Sequence, residues 1–319
     1  MIDYSKIIIG DRRLRLLAGA LVVQIILGLI VFWPTSSVLK DQTFFPDKEI
    51  KDISYISISD DEGNQLKLNR NESDWVLSDT DGFFVSDDKV SPLLQKLVNL
   101  NSNRMVAQTE SSHLKLEVGL DNYKRKIEIL WANQEKNTIL LGNSAGSGAT
   151  HFRLMSNDEV YLTGGLTAWD ANTTASRYID TEYFMLDKDS ISYVQLKNDN
   201  GIFHFSRNND SLIYDDIEDS EFRNQSAVNT LLTQISSIRM ASPIGKVLEN
   251  GVGIEDPKVV LIVRSESDNG VIESMFKVGE KRGDNYLASS SMSEYFALVS
   301  SYTANNLLDV VHSNFVEDN

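Results

Sequence analysis

The residues most suggestive of chemistry form a Gly-x-Ser-x-Gly pattern, Gly142-Asn143-Ser144-Ala145-Gly146. In hydrolases with this pattern, the serine lies on a sharp turn between a strand and a helix, close to a base. A strand-like segment precedes it here, but residues 147–155 have the pattern of a turn and a second strand. The matching turn Gly279–Gly283 has no serine. We therefore expect a hairpin loop and not a nucleophile.

The spacing of the histidines and acidic residues gives equally little support for a metal site. The four histidines are scattered, without the short spacing that zinc sites use: His113, His151, His204 and His312. The acidic turns Asp60–Gly63 and Asp79–Gly82 resemble calcium loops but lack the distal glutamate of an EF-hand. No pair of carboxylates is singled out by its spacing. We expect no catalytic residue, no metal and no cofactor, and hence a protein that is not an enzyme.

A long internal similarity indicates where the framework lies. Ile53–Ile56 returns as Ile191–Val194, 138 residues later. An apolar set at helical spacing also returns at this offset, Val90, Leu93, Leu94, Leu97 and Leu100 matching Val228, Leu231, Leu232, Ile235 and Ile238. The pattern predicts two copies of one unit.

Each copy has the pattern of several strands and one amphipathic helix, which predicts an α+β unit with an antiparallel sheet. Short helices at Gly165–Thr174 and Ser301–Val310 are expected to close the copies. The predicted boundaries are 1–13 for a cytoplasmic N-terminus, 14–33 for a transmembrane helix, 34–49 for a linker, 50–176 for repeat 1, 177–189 for an inter-repeat linker, 190–312 for repeat 2 and 313–319 for a tail.

The membrane helix is predicted from Leu16–Trp33, a run of 18 residues without charge. With Leu14 and Arg15 added, the helix approaches the roughly 30 Å of a hydrocarbon core. Basic residues precede the span, namely Lys6, Arg12, Arg13 and Arg15, so we expect the N-terminus in the cytoplasm. A cleaved signal peptide is the alternative, but the bulky Val31–Pro34 segment disfavours cleavage. Gly19, Gln24 and Gly28 are the small and polar residues that helix packing in membranes uses.

The remaining chain is strongly acidic. The whole protein has a net charge of −16, and residues 1–33 contribute +2, so residues 34–319 carry −18. Such a body is repelled by nucleic acid and by anionic lipid. No cysteine is present, which excludes disulfides and thiol chemistry.

Two arginines recur after the helix of each copy, Arg104 and Arg239. Each copy also has an acidic residue further along the chain, Asp121 in the first copy and Glu255 in the second. We expect each arginine to be buried and to tie its helix to the sheet through the acid of the same copy.

The order of these features resembles the bacterial family called domain of unknown function 4340. The resemblance rests on Trp75, the helix Val90–Leu100, Arg104, the step Gly119-Leu120-Asp121, Leu141-Gly142 and Val160-Tyr161-Leu162. It implies a single-pass protein of the inner membrane that faces the periplasm. It further implies association with an ABC-type exporter, its permease and ATPase, and a second anchored auxiliary subunit of the gliding-motility type.

Two functions follow as expectations. The first is a non-enzymatic, membrane-anchored subunit of an ABC-type transporter complex, with the duplicated body as a periplasmic extension. The alternative is an envelope protein that binds, and possibly hydrolyses, glycans or lipids between the two repeats. Aromatic residues near the inter-repeat linker would line such a cleft or belong to the core: Tyr178, Tyr183, Phe184, Tyr193 and Tyr214.

Overall fold

The apolar run near the N-terminus forms a helix, α1, over Arg12–Val31. The computed structural model describes residues 12–31, 41–248, 253–268 and 270–317. Trp33 and most of the predicted cytoplasmic segment therefore lie outside the described residues. The chain divides into two units, residues 1–41, which include α1, and residues 42–319. In the described part of the chain, no helix combines the length and the hydropathy required to cross a membrane.

The second unit consists mainly of antiparallel strands with a few helices, which confirms the predicted α+β class. The first half has strands β1 (Gln42–Thr43), β2 (Ile53–Asp60), β3 (Gln65–Asn71), β4 (Asp74–Leu77), β5 (Phe83–Phe84), β6 (Asn101–Ser102), β7 (Met105–Ala107), β8 (Arg125–Trp131), β9 (Lys136–Gly146), β10 (Ala149–Leu154) and β11 (Val160–Thr163). The second half has strands β12 (Glu182–Met185), β13 (Ile191–Asn198), β14 (Gly201–Asn208), β15 (Ser211–Tyr214), β16 (Phe222–Arg223), β17 (Ser237–Arg239), β18 (Ser242–Gly245), β19 (Val259–Ser267), β20 (Gly270–Arg282), β21 (Asn285–Ser290), β22 (Phe296–Ser300) and β23 (Val316–Glu317). The helices are α2 (Asp87–Val98), α3 (Glu110–Lys115), α4 (Gln225–Ser236) and α5 (Ser301–Leu308).

The two large sheets share one strand order. The first sheet runs β5-β4-β3-β2-β8-β9-β10-β11-β7, and the second runs β15-β14-β13-β19-β20-β21-β22-β18. Apart from the extra edge strand β5, each strand of the first sheet has a counterpart at the same place in the second. The starts of β2 and β13, and of α2 and α4, are each 138 residues apart.

Side-chain alternation explains why these segments are strands that cover a core. In β8, Ile127, Ile129 and Trp131 are buried, while the residues between them are half-buried. Alternate residues of a strand point to opposite faces, so one face of this strand packs inward. Helix α2 supplies the opposing surface with Val90, Leu93, Leu94 and Leu97, as its apolar spacing predicts. Buried residues of both halves form one contiguous apolar cluster.

Two of the segments predicted as linkers contain strands. β1 lies within the predicted linker 34–49 and pairs with β6. β12 lies within the predicted linker 177–189 and pairs with β17. The predicted tail contributes β23, which pairs with β16. These pairs show that both halves begin before their large sheets.

Polar residues at the ends of β2 and β13 fasten each half to its closing segment. Asp60 ends β2 and accepts a hydrogen bond from Thr173 Oγ1 at 2.8 Å. Asn198 ends β13 and donates through Nδ2 to the carbonyl oxygens of Leu307 and Val310 at 3.0 and 2.9 Å. Burial raises the pKa of Asp60, but hydrogen bonds from Asn64 and Thr173 outweigh burial and hold that pKa below its usual value.

A strand glycine in each half allows a loop to lie against the sheet. A Cβ atom at Gly142 would be 2.0 Å from the carbonyl oxygen of Leu116, and one at Gly279 would be 1.6 Å from that of Gly253. The next residue after each glycine donates its N–H to that same carbonyl, Asn143 at 3.0 Å and Glu280 at 2.9 Å. Any side chain larger than hydrogen therefore displaces the loop.

We expect Gly142→Ala to lower the free energy of unfolding by about 3 kcal/mol, because the added methyl group overlaps a backbone oxygen. Urea denaturation of the full-length chain in mild detergent measures the change. Gly164→Ala is the matched control, since no atom lies within 4 Å of its added Cβ. Equal stability of the two variants would contradict the close approach.

Candidate functional site

The serine pattern lies in a hairpin, as expected from its sequence. β9 and β10 are joined at Ser147-Gly148, which have positive φ values of 51° and 77°. Ser144 Oγ donates to the carbonyl oxygen of Ala149 at 3.4 Å. His151 lies on the neighbouring strand, but its Nδ1 bonds to the carbonyl oxygen of Asn143 at 2.7 Å. Among the described residues, the serine hydroxyl makes no hydrogen bond to a histidine or a carboxylate.

The histidines lie in separate places and have structural partners. His113 is buried and bonds to the carbonyl oxygen of Asp158 at 2.7 Å. His204 pairs with Asp216 at 3.0 Å. Among the described residues, no group of three or more histidines and carboxylates has the geometry to hold a metal ion.

His312 belongs to a short chain of polar contacts. Its Nε2 lies 2.9 Å from Glu221 Oε1, and its Nδ1 lies 2.8 Å from the hydroxyl of Tyr214. Burial raises the pKa of Tyr214 to about 12, so this hydroxyl stays protonated at neutral pH. The contacts fasten the segment after α5 to the sheet, since Tyr214 ends β15.

The predicted buried pairs of arginine and acid are wrong. Arg104 and Asp121 are both exposed in the first half, and Arg239 and Glu255 are exposed in the second. Arg239 instead pairs with Glu182, with Nη2 and Oε1 3.1 Å apart. The strands that follow α2 and α4 lie at sheet edges or in a two-stranded ribbon, so their charged side chains reach solvent and avoid the cost of burial.

The arginine that holds the Gly119 loop is Arg153, on β10. It is 5% exposed, and its Nε and Nη1 donate to the carbonyl oxygens of Val118 and Asn157, both at 2.9 Å. Burial of the guanidinium lowers its pKa. Sequence analysis missed this residue because a single arginine within an apolar strand carries no spacing pattern.

Both halves share a different arginine, near the end of the second strand of each sheet. Arg70 Nη1 donates to the carbonyl oxygens of Ile50 and Lys51 at 3.2 and 3.0 Å. Arg207 donates to the carbonyl oxygens of Ile191 and Lys188 at 2.5 and 2.6 Å. Each guanidinium therefore closes the turn that leads into β2 or β13. The recurring Arg-Asn pair, Arg70-Asn71 and Arg207-Asn208, is the pattern that could have identified them.

The aromatic residues near the junction of the halves belong almost entirely to the core. Tyr178, Tyr183, Phe184 and Tyr214 are at most 3% exposed, and Tyr193 is half-buried. The Tyr183 hydroxyl donates to the carbonyl oxygen of Tyr295 at 2.8 Å. Burial raises the pKa of Tyr183 and, to about 12, that of Tyr178. These side chains do not line a cleft.

The two halves meet at polar and aromatic contacts. An Asp81 carboxylate oxygen accepts the backbone N–H of Lys246 at 2.7 Å, and the rings of Phe83 and Tyr295 meet edge to face at 4.8 Å. A cavity of about 460 Å³ lies between the halves. The only carboxylate among its described lining residues is Asp79, which pairs with Lys67 at 3.1 Å. Hydrolysis of a glycan by two neighbouring carboxylates has no support there.

The described residues thus define a sheet-rich α+β protein. Residues 75–258 match the family model described as "Domain of unknown function (DUF4340)". The match covers more than half of the chain, and the protein belongs to this family. Searches among curated proteins and among solved structures found no match.

We expect Arg207→Met to lower the free energy of unfolding by about 2 kcal/mol, because backbone carbonyls at the start of β13 lose charged donors. Thermal and urea unfolding measure this loss. Arg104→Met is the control, because an exposed arginine without such partners changes stability by less than about 0.5 kcal/mol. If both variants lose the same amount, the role assigned to Arg207 is wrong.

Proposed function

We propose that this protein is a non-enzymatic, membrane-anchored accessory subunit of an ABC-type transporter complex, with its body as a periplasmic extension. The observation that carries the proposal is the surface of α1. Eight large apolar side chains between Leu16 and Leu27 are 49–69% exposed, and at 100° per residue they point to all sides of the helix. A helix that is apolar all round is found inside a large protein or inside a membrane.

The orientation of the anchor follows from the basic residues before it. Lys6, Arg12, Arg13 and Arg15 precede the uncharged run, and they favour a cytoplasmic N-terminus. The acidic body would then lie on the periplasmic side of the inner membrane. Its net charge of −18 would keep it away from anionic headgroups.

We further propose that the body arose by duplication of one unit. Its support is the shared strand order, the 138-residue offset and the paired positions Gly142 with Gly279 and Arg70 with Arg207. Because both halves contribute to one apolar cluster, the body would behave as a single rigid block. A rigid block suits an extension that holds a partner at a fixed distance from the membrane.

The partners are proposed from the family resemblance. They are a permease, its ATPase and a second anchored auxiliary subunit. A subunit that acts through contact alone needs no metal site, and none is formed by the described residues. Affinity purification of the tagged full-length chain from its native membranes in mild detergent tests this, with mass spectrometry of the recovered proteins. Recovery of all three partners in near-equal amounts is expected, and recovery of the chain alone would contradict the proposal.

Gln24 and Gly28 form the face of α1 that we expect to contact the permease. They are four residues apart and lie on one side of the helix, whereas Gly19 is nine residues from Gly28 and lies on the opposite side. A Cβ atom added at either glycine would have no atom within 4 Å, so both sites tolerate a side chain in the isolated chain. Small residues allow close helix approach in membranes.

We expect Gly28→Leu to reduce recovery of the permease by about tenfold, while Gly19→Leu leaves it unchanged. Both variants should keep the unfolding temperature of the body, which lies outside the substituted helix. Quantitative mass spectrometry of the purified complexes measures the recovery. If both variants lose the same amount of permease, the face of Gln24 and Gly28 is not the one that contacts it.

A further inference from the structure

A polar groove in the second half lies between α4, α5 and the segment after α5. It has a volume of about 660 Å³. A smaller hollow of about 100 Å³ adjoins it and shares Gln234, Tyr302 and Asn306 with it. The groove lies away from the serine hairpin and from the junction of the two halves.

The polar groups of the groove are mostly amides and hydroxyls. Gln234 reaches it from α4, and Asn305 and Asn306 reach it from α5. In the described part of the chain, the side chains of these three residues and of Tyr302 have no hydrogen-bond partner. Tyr302 is 76% exposed. Asp309 is the one charged residue in the described lining.

Amide side chains both donate and accept hydrogen bonds, as sugar hydroxyl groups do. An exposed tyrosine ring adds a flat apolar face on which the C–H side of a sugar ring stacks. The near absence of charge in the lining disfavours charged ligands, and the acidity of the whole chain repels polyanions. The chemistry of the groove therefore fits a neutral, hydroxyl-rich ligand.

The matching helix surface of the first half carries two lysines that bond to neighbouring segments. Lys96, which corresponds to Gln234 at the offset of 138, pairs with Asp170 at 2.7 Å. Lys89, which corresponds to Ala227, donates to the carbonyl oxygen of Ile179 at 2.6 Å. The second half has neutral or small residues at both lysine positions. The charged groups on α2 in the first half therefore have no counterpart at these two positions of α4.

We propose that the groove between α4 and α5 binds an uncharged glycan chain. The inference goes beyond the transporter role and does not depend on it, because the groove lies wholly in the second half of the body. A bound glycan would fix that half of the body against a polysaccharide. The amides of Gln234, Asn305 and Asn306 would hold successive hydroxyl groups, and Tyr302 would stack on one ring.

Isothermal titration of the full-length chain tests the proposal in a detergent without a sugar headgroup. The probes are maltohexaose, cellohexaose and the hexamer of N-acetylglucosamine, with a neutral Gly-Ser hexapeptide for comparison. We expect one of the glycans to bind in the micromolar to millimolar range and the peptide to bind more weakly. The proposal is overturned if no glycan binds at millimolar concentration, or if the peptide binds more tightly than every glycan.

Variants locate the site. The double variant Gln234→Lys with Asn306→Asp places opposite charges across the groove, as Lys96 and Asp170 do in the first half, and should reduce binding at least tenfold. Tyr302→Ala should also weaken binding about tenfold. Trp169→Ala is the matched control, because this aromatic is 68% exposed in the first half, outside the groove. Unchanged binding in the double variant, at an unchanged unfolding temperature, would place the glycan elsewhere and overturn the assignment.

Discussion

The fold depends on polar contacts at both ends of one strand in each half. β2 and β13 lie inside their sheets, each between two neighbours, and the chain enters and closes beside them. A single arginine holds the entering turn, Arg70 in one half and Arg207 in the other. Asp60 and Asn198 hold the closing segment at the far end. These contacts give hydrogen-bond partners to backbone groups that would otherwise lack them at the strand ends. They also hold the apolar face of each sheet against its helix.

The elements with strong apolar periodicity could be predicted from the sequence. The stripes of α2 and α4 and the alternating strands follow from residue spacing alone, because burial of one face dictates that spacing. Short elements could not be predicted in this way, because their few residues show no such periodicity. β1 and β12 form through pairing with β6 and β17, which lie far away in the chain. The predicted helix at Gly165–Thr174 is formed of turns and irregular segments instead, whereas its counterpart is helical over Ser301–Leu308.

Side-chain contacts were harder to predict than elements. The similarity of Arg104 and Arg239 in sequence suggested a buried ion pair, yet both side chains are exposed. The arginines with shared roles are Arg70 and Arg207. Their partners are backbone carbonyl groups, which every residue type has, so the sequence gives no sign of them. The groove of the second half was not predicted either. The groove has Gln234 at the position that corresponds to Lys96 of the first half, and it also depends on the position of α5. Only the folded chain therefore brings its amides together.

The differences between the halves bear on function more than their similarity does. The shared features, such as Gly142 and Gly279, serve packing. The helix α2 of the first half bears the ion pair of Lys96 with Asp170, whereas the groove of the second half has one charged residue, Asp309, in its described lining.

We propose an anchored chain whose body lies outside the inner membrane, and the lack of cysteine makes this topology directly measurable. Single cysteines would be introduced by Ser5→Cys before the helix and by Ser313→Cys, an exposed site after α5. Cells with a permeabilised outer membrane would be treated with a maleimide that does not cross the inner membrane. The account predicts labelling at position 313 in intact cells, and at position 5 only after lysis. Labelling at position 5 in intact cells, or protection of position 313 until lysis, would contradict it.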